Sequence, residues 1–273
     1  MQTKKSFFFQ IFESWYNDGS LKEGAALSFY TVLALPALIV GLSSFAMLFF
    51  DRSFVQEKIL VYSSISFGST GQEIIRSMSN QIPQTSTLTL TTFFSMVILF
   101  ILASSIFSSL QDSLNIIFHT PAPEMKIKRF LQNRTQLFLL VLCLGGILIV
   151  NTFLQGFFSF GMNHLEKLIF LPFSLLHIFT LVTNILLFFT LTAFLFRYLP
   201  EKKPQWKNVW FGSFVTTILF AFGKYLLGTY IGFANFGSAY GAAGSLMALF
   251  VWIYYSSQTF FLGAECVARR EKD

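Results

Sequence analysis

Six stretches of this chain run for about twenty residues or more with almost no charge: residues 28–50, 88–110, 137–158, 171–196, 209–232 and 240–263. At a helical rise of ~1.5 Å per residue, each is long enough to cross a hydrocarbon core ~30 Å thick. In lipid, every backbone N–H and C=O needs a partner within the protein, so such segments fold as helices. The expected fold is therefore all-α: a polytopic membrane bundle of about six transmembrane helices, forming a single integral membrane domain over residues 1–273. Composition points the same way. Charged residues make up 12% of the chain, against roughly a quarter in soluble domains. The 37 phenylalanines carry more apolar surface than one soluble core of this length would hide, whereas a bilayer solvates it.

The basic residues orient the bundle. Lys4, Lys5 and Lys22 precede the first stretch, and Lys126, Lys128, Arg129 and Arg134 lie between the second and third. Arg197, Lys202, Lys203 and Lys207 lie between the fourth and fifth, and Arg269, Arg270 and Lys272 follow the sixth. These fourteen fall on one side of an alternating topology, and Arg52, Lys58, Arg76 and Lys167 on the other. Basic loops stay in the cytoplasm, so both termini are expected there, in a bacterial inner membrane. The net charge of +6 is thus read as topology and headgroup attraction. Nucleic acid is not an expected partner, since no binding motif accompanies it.

The connections carry their own patterns. In residues 1–27, Phe8, Ile11, Phe12 and Trp15 recur at helical spacing near Lys4, Lys5 and Glu13. That predicts an amphipathic helix in the cytoplasmic interface, with a plain packing helix as the alternative. The 51–87 connection contains two helix-like stretches, 54–66 and 72–81, split by Gly68-Ser69-Thr70-Gly71. It reads as a helical extracytoplasmic loop, serving as a lid or as a passive cap. The 233–239 connection is short, so the last two spans should form an antiparallel hairpin. No cleavable signal peptide is expected, because Glu13, Asp18 and Glu23 interrupt the N-terminal stretch. No internal repeat is evident, so an inverted-repeat transporter is not indicated.

Polar groups inside apolar spans are costly and ask for a reason. Lys224, in the outer half of the fifth span, is expected at a depth similar to His177 and Asn151. Together they make a candidate binding pocket for an anionic group. The alternative is that Lys224 extends its ammonium to the outer headgroups while His177 is satisfied inside the bundle. A second layer, Glu23, Asp112, Asn115, Arg197 and Glu265, is expected at the cytoplasmic helix ends, as ion pairs that lock the helices or as a gate. Gly241 and Gly244 suggest close helix packing, and Pro36 suggests a kink in the first span. The sequence holds no HExxH, GxSxG, Walker-type loop or Cys/His ligand spacing, so no catalytic residue, metal or cofactor is assigned. Cys143 and Cys266 lie too far apart in sequence to suggest a metal motif or a disulfide framework.

Four segments together resemble a known family. They are EGAALSFYTVLALPAL (23–38), FRYLPEKKPQWKNVWFGSFVTTILFAFGKYLLGTYI (196–231), YGAAGSLMALFVWIYYSSQTFFLGAE (240–265) and, more weakly, SSLQDSLNIIF (108–118). In order and content they resemble the YihY/BrkB family of bacterial inner-membrane proteins. The resemblance implies a six-helix membrane protein without a settled activity, linked with envelope functions that include serum resistance and lipid or solute export. The "ribonuclease BN" label once attached to the family finds no metal site or RNA surface in these residues. The family pattern falls here on Tyr30, Pro36, Asn115, Arg197, Pro200, Trp206, Gly212, Lys224, Tyr240, Gly241, Gly244, Trp252, Gly263 and Glu265, with no catalytic role attached. The expected function is a transporter or lipid-handling, flippase-like protein for an anionic or amphipathic substrate. The alternative is a scaffold that anchors envelope machinery through residues 51–87. Membrane lipids are the expected partners, and a homo-oligomer is open.

Overall fold

The computed structural model describes residues 7–47, 51, 53–57, 90–120, 174–234 and 244–272, together with 143, 146, 147, 150, 151, 154 and 156. Six helices are described among them: α1 (Phe7–Asn17), α2 (Ser20–Ala46), α3 (Leu90–Ile117), α4 (Ser174–Tyr198), α5 (Trp206–Ala234) and α6 (Gly244–Lys272). Residues 53–57 are also helical, as are the isolated positions Cys143, Gly146, Ile147, Val150, Asn151, Leu154 and Gly156 of the third apolar stretch. No strand occurs among the described residues. The fold is the helical membrane bundle that the apolar stretches predict. Among the described residues, three helical segments are long and apolar enough to cross a membrane: Ile178–Tyr198, Trp206–Leu227 and Leu246–Lys272. The expected 72–81 helix, Gly241 and most of the 233–239 connection lie outside the described residues.

Each helix end has a local cause. Gly19 follows α1 with φ +72°, a conformation glycine adopts without a Cβ penalty. Its N–H bonds the Tyr16 carbonyl while that of Asp18 bonds Ser14, which ends α1 and starts α2 at Ser20. α3 closes on His119 at φ 51°, with the Thr120 N–H reaching back to the Asn115 carbonyl at 2.9 Å. α2 runs unbroken through Pro36; the proline has no N–H for the Val32 carbonyl.

Side-chain distribution follows the solvent these helices are built for. On α5, Gly212, Ser213, Thr216 and Thr217 are buried, while Trp210, Phe214, Ile218 and Phe222 are exposed. Small and hydroxyl groups face inward and large apolar groups outward, as suits a helix wetted by hydrocarbon. The hydroxyls need no solvent. Thr216 donates to Gly212 O and Thr217 to Ser213 O, and the same back-bonding occurs at Ser28, Thr192 and Ser257. α4 likewise turns Ile178, Leu181, Val182, Ile185 and Leu186 outward.

The chain packs as two units, and helices α5 and α6 contribute to both. The first unit contains residues 1–20, 111–221 and 259–273. Its core is Leu114, Ile117, Phe196, Leu199, Val209, Phe261 and Val267, each at most 2% exposed. Here Gly212 of α5 meets Gly263 and Val267 of α6, and Gly263 meets Thr216. The second unit contains residues 21–110 and 222–258. There Gly223 of α5 meets the Tyr255 ring of α6, and Gly24 of α2 meets Ser257 and Gln258 of α6. In the first unit α5 numbers rise as α6 numbers fall, from Asn208 with Glu271 to Gly212 with Val267 and Thr216 with Gly263. The two helices are therefore antiparallel, as the short connection between them predicts.

Candidate functional site

The polar residues of the first unit gather around the turn that joins α4 to α5 and around the last turns of α6. The turn, residues 199–205, is anchored from three directions. From α3, Gln111 Nε2 donates to the Leu199 carbonyl at 3.0 Å and Asn115 Oδ1 accepts the Glu201 N–H at 3.0 Å. From α4, Arg197 donates to the Pro204 carbonyl and lies 5.7 Å from the Trp206 ring centre. From α6, Glu271 accepts the Gln205 N–H at 2.5 Å and the Asn208 amide at 3.3 Å. A carboxylate at that place meets the free N–H groups and positive dipole end of α5. Pro200 and Pro204 are fully buried, so the turn is held by backbone restriction as well as by hydrogen bonds. Lys203 Nζ caps the Tyr198 carbonyl at 2.9 Å. Desolvation at that position, and then the charge of Arg197, holds the Lys203 pKa below the ordinary lysine value.

The second polar group lies beneath α1. Glu265 is 3% exposed, and its carboxyl stands beside that of Asp18, with Lys272 as a nearby positive charge. The outer oxygens, Asp18 Oδ2 and Glu265 Oε1, are buried without a protein partner, as is Arg269 Nε one turn further along α6. This carboxyl pair lies where the end of α1 meets α6. No set of three His, Cys, Asp or Glu side chains is gathered for a metal among the described residues.

The residues singled out by sequence sort as follows. Asn115 and Arg197 both hold the 199–205 turn, while Asp112 is exposed on α3. Glu265 belongs to the α1 contact, and Glu23 is half-buried on α2 in the second unit. Asn151 is half-buried at a helical position and His177 lies near the start of α4, both in the first unit. Lys224 is exposed on α5, in the second unit. Pro36 lies inside α2, and Gly244 opens α6 and is buried. Sequence reasoning missed Asp18, Gln111, Asn208, Arg269 and Glu271. Of these, Asp18 carried a signal, since Asp-Gly between two helical patterns marks a tight turn. The others are ordinary polar residues whose partners are distant in sequence.

Comparison with known proteins places the chain. The family described as Virulence factor BrkB matches residues 11–273. A UPF0761 membrane protein of Chlorobium phaeobacteroides is 27% identical over 95% of this chain and 56% of its own length. Another, of Prosthecochloris aestuarii, is 26% identical over 98% of this chain and 61% of its own. One from Coxiella burnetii is 26% identical over 93% and 89% respectively. The chain thus spans a little over half the length of the first two of these relatives. No solved structure matches it. With a family match running from α1 to the last residue, across every helix described above, this chain belongs to the Virulence factor BrkB family of membrane proteins.

Proposed function

We propose that the protein handles an anionic amphipathic substrate, such as a phospholipid, in the bacterial inner membrane, as a transporter or flippase-like protein with both termini in the cytoplasm. The observation that carries this reading is Lys224. It is the one Lys or Arg within the six apolar stretches, and it is exposed on α5 beside Phe222 at 60% and Tyr225 at 74% exposure. Those neighbours belong to the outward, lipid-wetted side of the helix. Counting ~1.5 Å per residue from Trp206, Lys224 lies ~27 Å along α5, towards its far end. An ammonium there is costly unless it meets a phosphate or reaches the headgroups. A charge turned to lipid suits a substrate that approaches from the bilayer, such as a lipid with its own phosphate.

Reconstitution in liposomes tests it. Vesicles carrying the protein should exchange fluorescent phosphatidylglycerol between leaflets faster than empty vesicles. Lys224→Ala should slow the exchange by roughly 10- to 150-fold if the ion pair contributes the usual 1.5–3 kcal/mol of a charged hydrogen bond. Exchange no faster than in empty vesicles would overturn the proposal, and an unchanged rate in Lys224→Ala would remove the lysine from it.

A further inference from the structure

α1 has three sides, and the best buried of them packs against the protein. At about 100° per residue, Phe7, Ile11, Ser14 and Trp15 share one sector. Ile11 is 4% exposed, and the Phe7 ring lies 6.5 Å from Phe211 of α5. A second sector holds Phe8, Phe12, Tyr16 and Phe9, which are 56–70% exposed. The third holds Glu13 and Asn17, exposed, and Gln10. Aromatic and polar residues are thus separated on the outward surface instead of mixed.

The attachments fix how α1 lies. At one end Phe7 meets Phe211, five residues or ~7.5 Å into α5. Just past the other end Asp18 meets Glu265, seven residues or ~10 Å before the end of α6. The start of α5 and the end of α6 are level, because Glu271 binds Gln205 and Asn208. Both ends of α1 therefore sit at a similar depth, and its axis runs across the helix ends, not along them. Cations surround this level: the Arg270 guanidinium is 3.6 Å from the Phe211 ring centre, and Lys207, Arg270 and Lys272 are exposed. In the sequence, Lys4 and Lys5 lead directly into α1.

We infer that α1 is a binding surface for anionic phospholipid: the Phe8–Phe9–Phe12–Tyr16 sector lies in the acyl boundary of the leaflet, the Glu13–Asn17 sector faces water, and Arg270 takes lipid phosphate at the junction with α5. Aromatic side chains favour the boundary between headgroup and acyl chain, and juxtamembrane cations select anionic lipid. A helix covered by a second copy of the chain would have no use for separate apolar and polar outer sectors. The inference needs no transport, so its outcome is independent of the exchange assay above.

The test uses the full chain with Cys143→Ala and Cys266→Ala, reconstituted in phosphatidylcholine–phosphatidylglycerol vesicles, with a fluorophore attached through Phe12→Cys or Asn17→Cys. Each labelled protein is checked for monodispersity before its fluorescence is quenched by nitroxide-labelled lipid or by aqueous iodide. The probe at position 12 should be quenched by lipid and resist iodide, and the probe at 17 should do the reverse. Nitroxide phosphatidylglycerol should outcompete nitroxide phosphatidylcholine at position 12, and Arg270→Gln should reduce that preference by up to about fivefold. Equal iodide quenching at 12 and 17 would place the aromatic sector in water. Resistance of position 12 to both quenchers would mean that protein covers it. A lipid preference absent, or untouched by Arg270→Gln, would overturn the anionic assignment.

Discussion

A Cβ on Gly263 would lie 3.0 Å from the Gly212 carbonyl oxygen and would collide with the Thr216 hydroxyl. One on Gly212 would lie 2.6 Å from the Gly263 carbonyl oxygen. The neighbours are the two backbone carbonyls, the short β-branched side chain of Val267 and a Thr216 hydroxyl already bonded to the Gly212 carbonyl, so nothing can move aside cheaply. Overpacking of this kind costs about 1–3 kcal/mol. Gly263→Ala should therefore lower the thermal midpoint of the purified protein measurably, whereas Gly146→Ala, with nothing within 4 Å, should leave it near the parent value. Equal midpoints for the two variants would argue against close α5–α6 contact. Glycines at 212, 223 and 263 were visible in the sequence only as small residues in apolar runs. Which of them meets a carbonyl and which meets the Tyr255 ring depends on helix register, and no local pattern encodes that.

At the level of elements, α1 meets α6 at the Asp18–Glu265 carboxyl pair and α5 through aromatic packing. The pair can be kept polar with one acidic group fewer: Glu265→Gln offers Asp18 an amide donor, so α1 should stay docked. Glu265→Leu removes the polar neighbour and leaves the partly buried Asp18 carboxyl against an apolar side chain, a loss of about 1–3 kcal/mol. Limited proteolysis near the Asp18-Gly19 turn reads the difference: cleavage should accelerate in Glu265→Leu and not in Glu265→Gln. Equal protection in both would show that aromatic packing alone holds α1. The helical periodicity of Phe8, Ile11, Phe12 and Trp15 was enough to predict α1. It did not say which apolar residues face protein, because seven of the eleven residues of α1 are apolar or aromatic, and only the position of Phe211 and Glu265 breaks the tie.

For the whole molecule, the charge asymmetry makes a prediction independent of any substrate. A protease-cleavable tag at either end of the chain should be cut in inverted inner-membrane vesicles and protected in spheroplasts. Tags cut on opposite sides would require an odd number of spans. The sequence by itself determined the class of fold, the family likeness and the expected orientation, because twenty-residue apolar runs, ordered motifs and basic loops act through length, composition and local pattern. It also foretold the α5–α6 hairpin from a short connection. Only the tertiary structure decided that Glu265 pairs with Asp18, that Asn115, Arg197 and Glu271 converge on the 199–205 turn, and that Lys224 is exposed on α5. Each of those depends on how helices distant in sequence are rotated and aligned, and that is set by packing over the whole unit, not by any stretch read alone.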